Sequence, residues 1–259
     1  DDEQLMALMT KAGFNCVFIG VETPDDETLY QCSKNQNTGR DIVAAVKKIQ
    51  RFGMQVQAGF IVGFDNDKPN VFDKLINLVQ ESGIITAMVG LLNAPRGTKL
   101  YQKLKQENRL VKLPTGDNMD CSINFIPKMD INELVKGYQK VVETLYSQKY
   151  YCKRIKTFLK NYNFPDKRKM KFKLSNIKAF FVSTWKIGIL EKGKIHYWML
   201  IIWALTKPKK FHLAVRFSIY GYHFRKMLKN LRPQLEKVTS GTNVQPDTEK
   251  NYNTFDTFQ

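Results

Sequence analysis

Apolar and polar positions along the first 110 residues predict strands and helices in regular succession. The nearly continuous apolar run at residues 16–21 is typical of a strand buried on both sides of a parallel sheet. Residues 54–62 and 86–92 predict two further strands. Apolar residues recur at helical spacing between the strands, and three helices are expected to end at Gly13, Gly53 and Gly83. This order predicts right-handed βαβ units, and therefore an α/β fold with parallel strands.

The pattern changes after residue 110. Turn residues dominate residues 111–127, and Asp130 begins a long amphipathic helix that we expect to continue to about Tyr162. Helical segments are predicted near residues 174–190, 195–206 and 210–229, and the polar stretch after Pro233 is predicted to be disordered. The predicted divisions are a sheet-and-helix unit at 1–110, a loop and connecting helix at 111–165, a basic helical domain at 166–235 and a tail at 236–259.

The positive charge of the chain is confined to one stretch. The net charge is +17, yet residues 1–150 carry 18 Lys and Arg against 18 Asp and Glu. Residues 151–235 carry 21 basic residues against two acidic ones, Asp166 and Glu191. This asymmetry predicts two regions with different partners.

The cysteines do not form a metal or disulfide pattern. Cys16, Cys32, Cys121 and Cys152 lack the close spacing of a zinc site, a redox pair or an iron–sulfur motif. Reduced cytoplasmic thiols are the simpler interpretation, and no metal ligand is predicted. The chain begins at Asp1 without a methionine, and we expect it to be the C-terminal piece of a longer protein.

The residues that follow the predicted strands are candidates for binding, because ligands of parallel βα folds lie beyond the carboxyl ends of the strands. Glu22 and Thr23 follow the first strand and could bind a ribose or an amine, although Glu22 could equally cap the next turn. The second strand carries Gly59 and Gly63. Glycines at such positions cost stability unless a backbone or a flat ligand approaches closely.

The segments VFIGVET, GFIVGFD and APRGTKLY together resemble the second half of a radical S-adenosylmethionine barrel. The segments GFIVGFDND, NFIPKM and YGYHFRKM are most similar to the subgroup with a cobalamin-binding domain, which includes hopanoid-methylase-like enzymes and carries a basic, aromatic-rich C-terminal domain. The resemblance implies the second half of a (βα)6 partial barrel followed by a mostly helical domain.

The resemblance also implies which residues bind the cofactor S-adenosylmethionine. The ribose would contact Glu22 and Thr23, and the adenosyl group would meet the backbone of the Gly-x-Ile-x-Gly motif. The adenine would lie near the residues after the third strand. The implied set is Glu22, Thr23, Gly59, Ile61, Gly63, Asn93, Ala94 and Pro95. The acidic residue that often completes the glycine motif is replaced by Asn66, with Asp65 adjacent.

The CxxxCxxC motif that binds the [4Fe-4S] cluster in this family does not occur in the chain. The cluster ligands and the cobalamin domain would therefore lie outside these residues, and we expect the chain alone to be inactive. The implied activity of the whole protein is cobalamin-dependent methyl transfer, or a related functionalisation, at an unactivated carbon of a small or lipid-like hydrophobic substrate.

The basic region suggests a second partner. Residues 151–235 contain 16 aromatic residues on predicted helices, which favours a peripheral membrane contact at the inner face of the membrane. Solvated lysines on an ordinary helical domain, or contact with nucleic acid, are the alternatives. The rival to the enzyme hypothesis is accordingly a non-catalytic basic module that binds membrane or RNA.

Overall fold

A computed structural model of the chain describes residues 2–31, 38–112, 123–164 and 180–239. The elements of the first part are α1 (Glu3–Lys11), β1 (Cys16–Glu22), α2 (Asp26–Gln31), α3 (Ile42–Arg51), β2 (Gln55–Val62), α4 (Val71–Ser82), β3 (Thr86–Leu91) and α5 (Lys99–Gln106). The later elements are α6 (Ile131–Tyr146), α7 (Gln148–Asn161), a π-helical segment (Thr184–Ile189), α8 (Lys194–Leu205) and α9 (Pro208–Thr239).

The three strands form one parallel sheet in the order β1-β2-β3. Ile19 of β1 lies beside Ala58 of β2, which lies beside Ala87 of β3. Helices connect the successive strands, as βαβ units require. The predicted α/β fold with parallel strands is therefore confirmed.

The two faces of the sheet differ in burial. One face carries Val56, Ala58, Phe60 and Val62 of β2, which are all buried under a layer that includes α3, α4 and α6. On the opposite face, Phe18 of β1 is 58% exposed. The prediction that β1 is buried on both sides is wrong, because β1 is an edge strand and the described elements cover only one of its faces.

Helix α6 supplies side-chain hydrogen bonds to the other edge strand, β3. The Tyr146 hydroxyl donates to the Ala87 carbonyl at 2.7 Å, and the Tyr138 hydroxyl donates to the Val89 carbonyl at 3.2 Å. Side-chain donors of this kind protect the backbone groups of an edge strand. The hydrogen bonds also fix α6 against the sheet.

The predicted long helix after Asp130 is two helices. The chain is extended at Ser147 (φ −57°, ψ 146°), which ends α6. The Ser147 hydroxyl then accepts a hydrogen bond from the Tyr150 backbone amide and caps α7. The prediction of one continuous helix is therefore wrong. The apolar periodicity of the sequence continues across Ser147, so the pattern did not indicate the break.

The C-terminal helices pack on the same core as the sheet. Leu200 and Ala204 of α8 and Phe217 of α9 belong to the buried cluster that contains Val56. The helices predicted at 195–206 and 210–229 are confirmed as α8 and α9. Helix α9 continues past Pro233 to Thr239, so the prediction that disorder begins after Pro233 is wrong for residues 234–239. The first part of the predicted segment at 174–190 and the tail from residue 240 lie outside the described residues. No helix in the described ranges is long and apolar enough to cross a bilayer.

Candidate functional site

The uncovered face of the sheet has a floor of small residues. Paired residues of parallel strands point to the same face, and Gly20 pairs with Gly59, Gly59 with Met88, and Ile61 with Gly90. We call this surface the open face and define it by Phe18, Gly20, Gln57, Gly59, Ile61, Met88 and Gly90. Two of the predicted cofactor residues, Gly59 and Ile61, lie on the open face.

The glycines of the open face have different neighbours. A Cβ at Gly90 would have no atom of the described residues within 4 Å, so the described part of the chain leaves the space above this residue open. A Cβ at Gly59 would lie 3.2 Å from Cζ of Phe18, whose ring therefore lies beside this glycine. The floor is flat and apolar between Phe18 and Met88, which are both more than half exposed. A planar ligand could approach the backbone here.

Glu22 is the last residue of β1, and Thr23 begins the turn that follows. The pairing with β2 shifts register between Gly20 and Glu22, and Glu22 has a positive φ of 68°. Residues other than glycine rarely adopt this conformation, so the fold fixes the position of this half-buried side chain. Thr23 is buried, and its hydroxyl accepts a hydrogen bond from the Asp25 amide at 3.3 Å. Thr23 thus has a structural role in the turn.

Gly63 ends β2 and has two structural reasons to be glycine. Its φ is +105°, and a Cβ would lie 3.2 Å from Cδ2 of Leu134 in α6. Its amide donates to Oδ2 of Asp67 at 2.8 Å, and the Phe64 amide donates to the same oxygen at 3.1 Å. The side of Gly63 where a Cβ would stand therefore faces α6.

Asp67 is an acidic residue of this turn that the sequence prediction missed. Burial raises its pKa to about 6, against the two backbone hydrogen bonds that lower it, and the nearby Asp25 raises it further. Its Oδ1 atom is buried and has no hydrogen-bond partner among the described residues. Asp67 lies four residues after Gly63 and just before α4. This spacing is the sequence signal that could have identified it.

Asp65, which the sequence placed next to the glycine motif, has a different role. The Arg109 guanidinium donates to both of its oxygens, at 2.6 and 2.9 Å. The hydrogen bond from Arg109 is the main reason that the pKa of Asp65 lies below its usual range, and Lys103 and Lys128 add to the effect. The Asp65–Arg109 ion pair therefore connects the residues after β2 to the residues after α5.

The residues after β3 are held by a side chain from the following loop. The Ala94 amide donates to Oδ1 of Asn124 at 2.8 Å, and Nδ2 of Asn124 donates to the Ala94 carbonyl at 2.9 Å. Asn93 is half-buried and Pro95 is exposed. Within the predicted stretch Asn93–Pro95, the Ala94 backbone therefore makes its hydrogen bonds to a side chain of the protein. Asn124 was missed because its loop has no recognisable pattern.

The described residues do not assemble a metal site. Across residues 2–31, 38–112, 123–164 and 180–239, no three His, Cys, Asp or Glu side chains come together. Burial raises the pKa of Cys16 and raises that of Cys152 to about 12. These environments favour the thiol, whereas a cluster ligand must be a thiolate.

Comparison with known proteins places the chain in a family. Residues 98–237 match the family described as "Domain of unknown function (DUF4070)". The chain is 31% identical to the "Uncharacterized methyltransferase sll1242" of Synechocystis, over 96% of this chain and 51% of the relative. It is 26% identical to the hopanoid C-2 methylase of Rhodopseudomonas palustris, over 79% of this chain and 39% of the relative.

A third relative is the bacteriochlorophyllide d C-12(1)-methyltransferase of Chlorobaculum tepidum, which is 24% identical over 41% of this chain and 23% of the relative. The chain spans about half the length of the Synechocystis protein and a smaller share of the other two. The family model covers more than half of this chain, and the named relatives are methyltransferases. The chain therefore belongs to the hopanoid-methylase-like family that carries the DUF4070 domain.

Proposed function

We propose that this chain is part of a radical S-adenosylmethionine methyltransferase and that its sheet is the second half of a (βα)6 partial barrel. The parallel order β1-β2-β3 with connecting helices on one face supports this architecture. The names of the relatives support methyl transfer. In this proposal, the [4Fe-4S] ligands and a cobalamin domain belong to a part of the protein outside these 259 residues.

The proposed binding site for the cofactor is the open face. A planar adenosyl group needs backbone that it can approach, and the space above Gly90 meets this need. Phe18 and Met88 offer apolar contacts on either side, and Ile61 lies beside Gly90. When bound, S-adenosylmethionine would supply the methyl group and the radical chemistry. The residues of this chain would position the cofactor and keep water from its adenosyl group.

The remaining predicted residues fit the cofactor unequally. Glu22 stands at the end of β1 in a fixed conformation and could accept hydrogen bonds from a ribose. The Gly63 and Ala94 amides already donate within the protein, so backbone donation to the cofactor is not proposed for them. Asn93 and Pro95 stay candidates for contact with the adenine.

The proposed substrate is a hydrophobic molecule with an unactivated carbon. One relative is named for a hopanoid and another for a bacteriochlorophyllide, and both names denote largely apolar molecules. The chain by itself should be inactive, because its four cysteines lack the spacing of a cluster motif. The rival proposal is a basic module without catalytic activity.

A substitution at Gly90 tests the cofactor site. The backbone at this position can accept a side chain, because a Cβ would meet no atom of the described residues and φ is not positive. A Val side chain would also fill the space above the floor. In the full-length enzyme with its cluster assembled anaerobically, we expect Gly90→Val to weaken S-adenosylmethionine binding at least tenfold, about 1.4 kcal/mol, by calorimetry.

Val89→Ile is the matched control, since it enlarges a side chain of the same strand that pairs with Phe60 and therefore points away from the open face. This variant should bind the cofactor like the wild type. Wild-type affinity in a folded Gly90→Val protein would show that the open face is not the adenosyl site. No cofactor binding by the wild-type enzyme with its cluster assembled would instead favour the non-catalytic module.

A further inference from the structure

Helix α8 and the segment before it expose a large apolar surface. We call it the apolar face and define it by nine residues, Phe181, Trp185, Ile189, Leu190, Ile195, Trp198, Met199, Ile202 and Leu205. Trp185 is 61% exposed and Ile202 is 62% exposed. A monomeric soluble protein rarely exposes so many large apolar side chains together, and such a surface usually marks an interaction site.

The exposed residues of α8 lie on one side of the helix. At about 100° per residue, positions 195, 198, 199, 202 and 205 fall within an arc of about 120°. The opposite side, with Tyr197, Leu200, Ile201 and Ala204, is buried in the protein. A surface helix normally turns polar residues outward. Helix α8 instead has two apolar sides. Packing on the protein core explains why one side is apolar, but it does not explain the exposed side.

Hydrogen bonds hold the two parts of the apolar face together. The Trp198 indole N–H donates to the Gly188 carbonyl at 2.9 Å. The Tyr197 hydroxyl lies 3.3 Å from the Ser183 hydroxyl and 3.2 Å from that of Thr184. A Cβ at Gly188 would lie 3.1 Å from the Tyr197 ring, so this glycine permits close packing. The apolar face is therefore a preformed surface.

Lysines flank the apolar face at both ends of α8. Lys192 and Lys194 lie at its amino end, and Lys207 and Lys209 follow its carboxyl end; all four are exposed. Glu191 is the only acidic residue in the sequence between residues 180 and 230. Its carboxylate accepts two hydrogen bonds from Arg225, at 2.6 and 3.1 Å, so that charge is balanced within the protein.

We propose that the apolar face docks on the surface of a lipid bilayer that contains anionic headgroups. The 12 residues of α8 span about 18 Å, so the helix would lie in the plane of the interface. Its aliphatic and Trp side chains would enter the boundary between headgroups and acyl chains. The lysines at both ends would meet the anionic headgroups.

The composition of the apolar face favours lipid over the other partners. Ile195, Met199, Ile202 and Leu205 can neither stack on bases as aromatic rings do nor contact phosphates, so the centre of the face does not suit nucleic acid. Positive charge on both flanks opposes pairing with a second copy, because like charges would meet around such an interface. An anionic bilayer offers acyl chains to the apolar centre of the face and negative headgroups to the lysines on its flanks. This inference does not depend on the proposed enzymatic function.

Vesicle flotation with the 259-residue chain tests the proposal. We expect binding to vesicles of phosphatidylcholine with 30% phosphatidylglycerol and weaker binding to phosphatidylcholine alone. High salt should weaken the binding without abolishing it, because salt screens only the electrostatic part. Ile202→Ser should weaken the binding about fivefold. Its control is Leu8→Ser in α1, which changes a side chain of matching exposure, 61% against 62%, outside the apolar face.

A second pair of variants separates charge from apolar contact. Lys194→Glu with Lys209→Glu should weaken binding to the anionic vesicles at least tenfold, whereas Lys99→Glu with Lys105→Glu, which makes the same charge change on α5, should weaken it much less. Equal losses in the matched pairs would overturn the proposal, because they would indicate nonspecific adhesion. It would also be overturned if the chain bound RNA but no vesicles, or formed dimers that Ile202→Ser dissociates without binding vesicles.

Discussion

The side-chain amide of Asn124 makes a reciprocal pair of hydrogen bonds with the backbone of Ala94. Both residues are fully buried. Asn124 also accepts a hydrogen bond from the Val111 amide through its backbone carbonyl, next to the antiparallel bridge between Leu110 and Phe125. The carboxyl end of β3 is therefore fixed by a residue that lies 30 positions later in the chain.

Replacement of Asn124 by Ala should destabilise the protein. The change removes both hydrogen bonds and leaves the Ala94 amide and carbonyl buried without partners, which costs about 2–4 kcal/mol. Urea denaturation followed by circular dichroism should show a lower midpoint with an unchanged slope. Asn70→Ala is the control, because Asn70 is exposed and makes no side-chain cap hydrogen bond. A midpoint like that of the control would mean that water replaces the Asn124 amide.

Asp67 should make the protein less stable as the pH rises from about 4 to about 6. Burial raises its pKa from 3.8 to about 6, so the folded state retains a proton that the unfolded state releases in this range. The stabilisation by this proton is complete below about pH 4 and lost above about pH 6. The free energy of unfolding should fall by roughly 1–3 kcal/mol over this pH range.

Asp67→Asn should remove this pH dependence. The amide oxygen can still accept from the Gly63 and Phe64 amides, and no charge is buried. We expect the variant to be more stable than the wild type at pH 7.5 by roughly 1–2 kcal/mol, with a smaller difference at pH 4.5. Glu81→Gln is the control, because Glu81 is exposed. The same stability difference from the wild type at both pH values would refute the assignment of the titration to Asp67.

Arg154 should tolerate Met better than Lys. Its guanidinium is buried, donates to the Leu145 carbonyl at 2.8 Å and the Ile85 carbonyl at 3.3 Å, and lies 4.9 Å from the centre of the Tyr151 ring. A Lys ammonium would be buried with fewer donors in reach, which costs about 3 kcal/mol, whereas Met buries no charge. The free energies of unfolding of Arg154→Met and Arg154→Lys test this order. Arg51→Lys, at an exposed position, should have little effect, and an Arg154→Lys protein as stable as the wild type would contradict the prediction.

The sequence by itself determined the elements whose signals are local. Gly83 was expected to end a helix, and it ends α4 with a φ of 73°. The strands β2 and β3 lie within one residue of their predicted bounds. Caps and periodicity act over a few residues, so the sequence carries them directly. Its family resemblance was likewise sufficient to identify the hopanoid-methylase-like family.

Only the tertiary structure decided what each candidate residue contacts. Gly59 lies on the open face, whereas Gly63 packs against Leu134, although the two glycines belong to the same sequence motif. Ala94 follows β3 as predicted, but its backbone is bound by Asn124. These contacts join residues separated by 30 or more positions, and no local pattern of the chain encodes such a distance. The same reason explains why the outward side of α8 could not be told from its buried side before the helix was placed on the core.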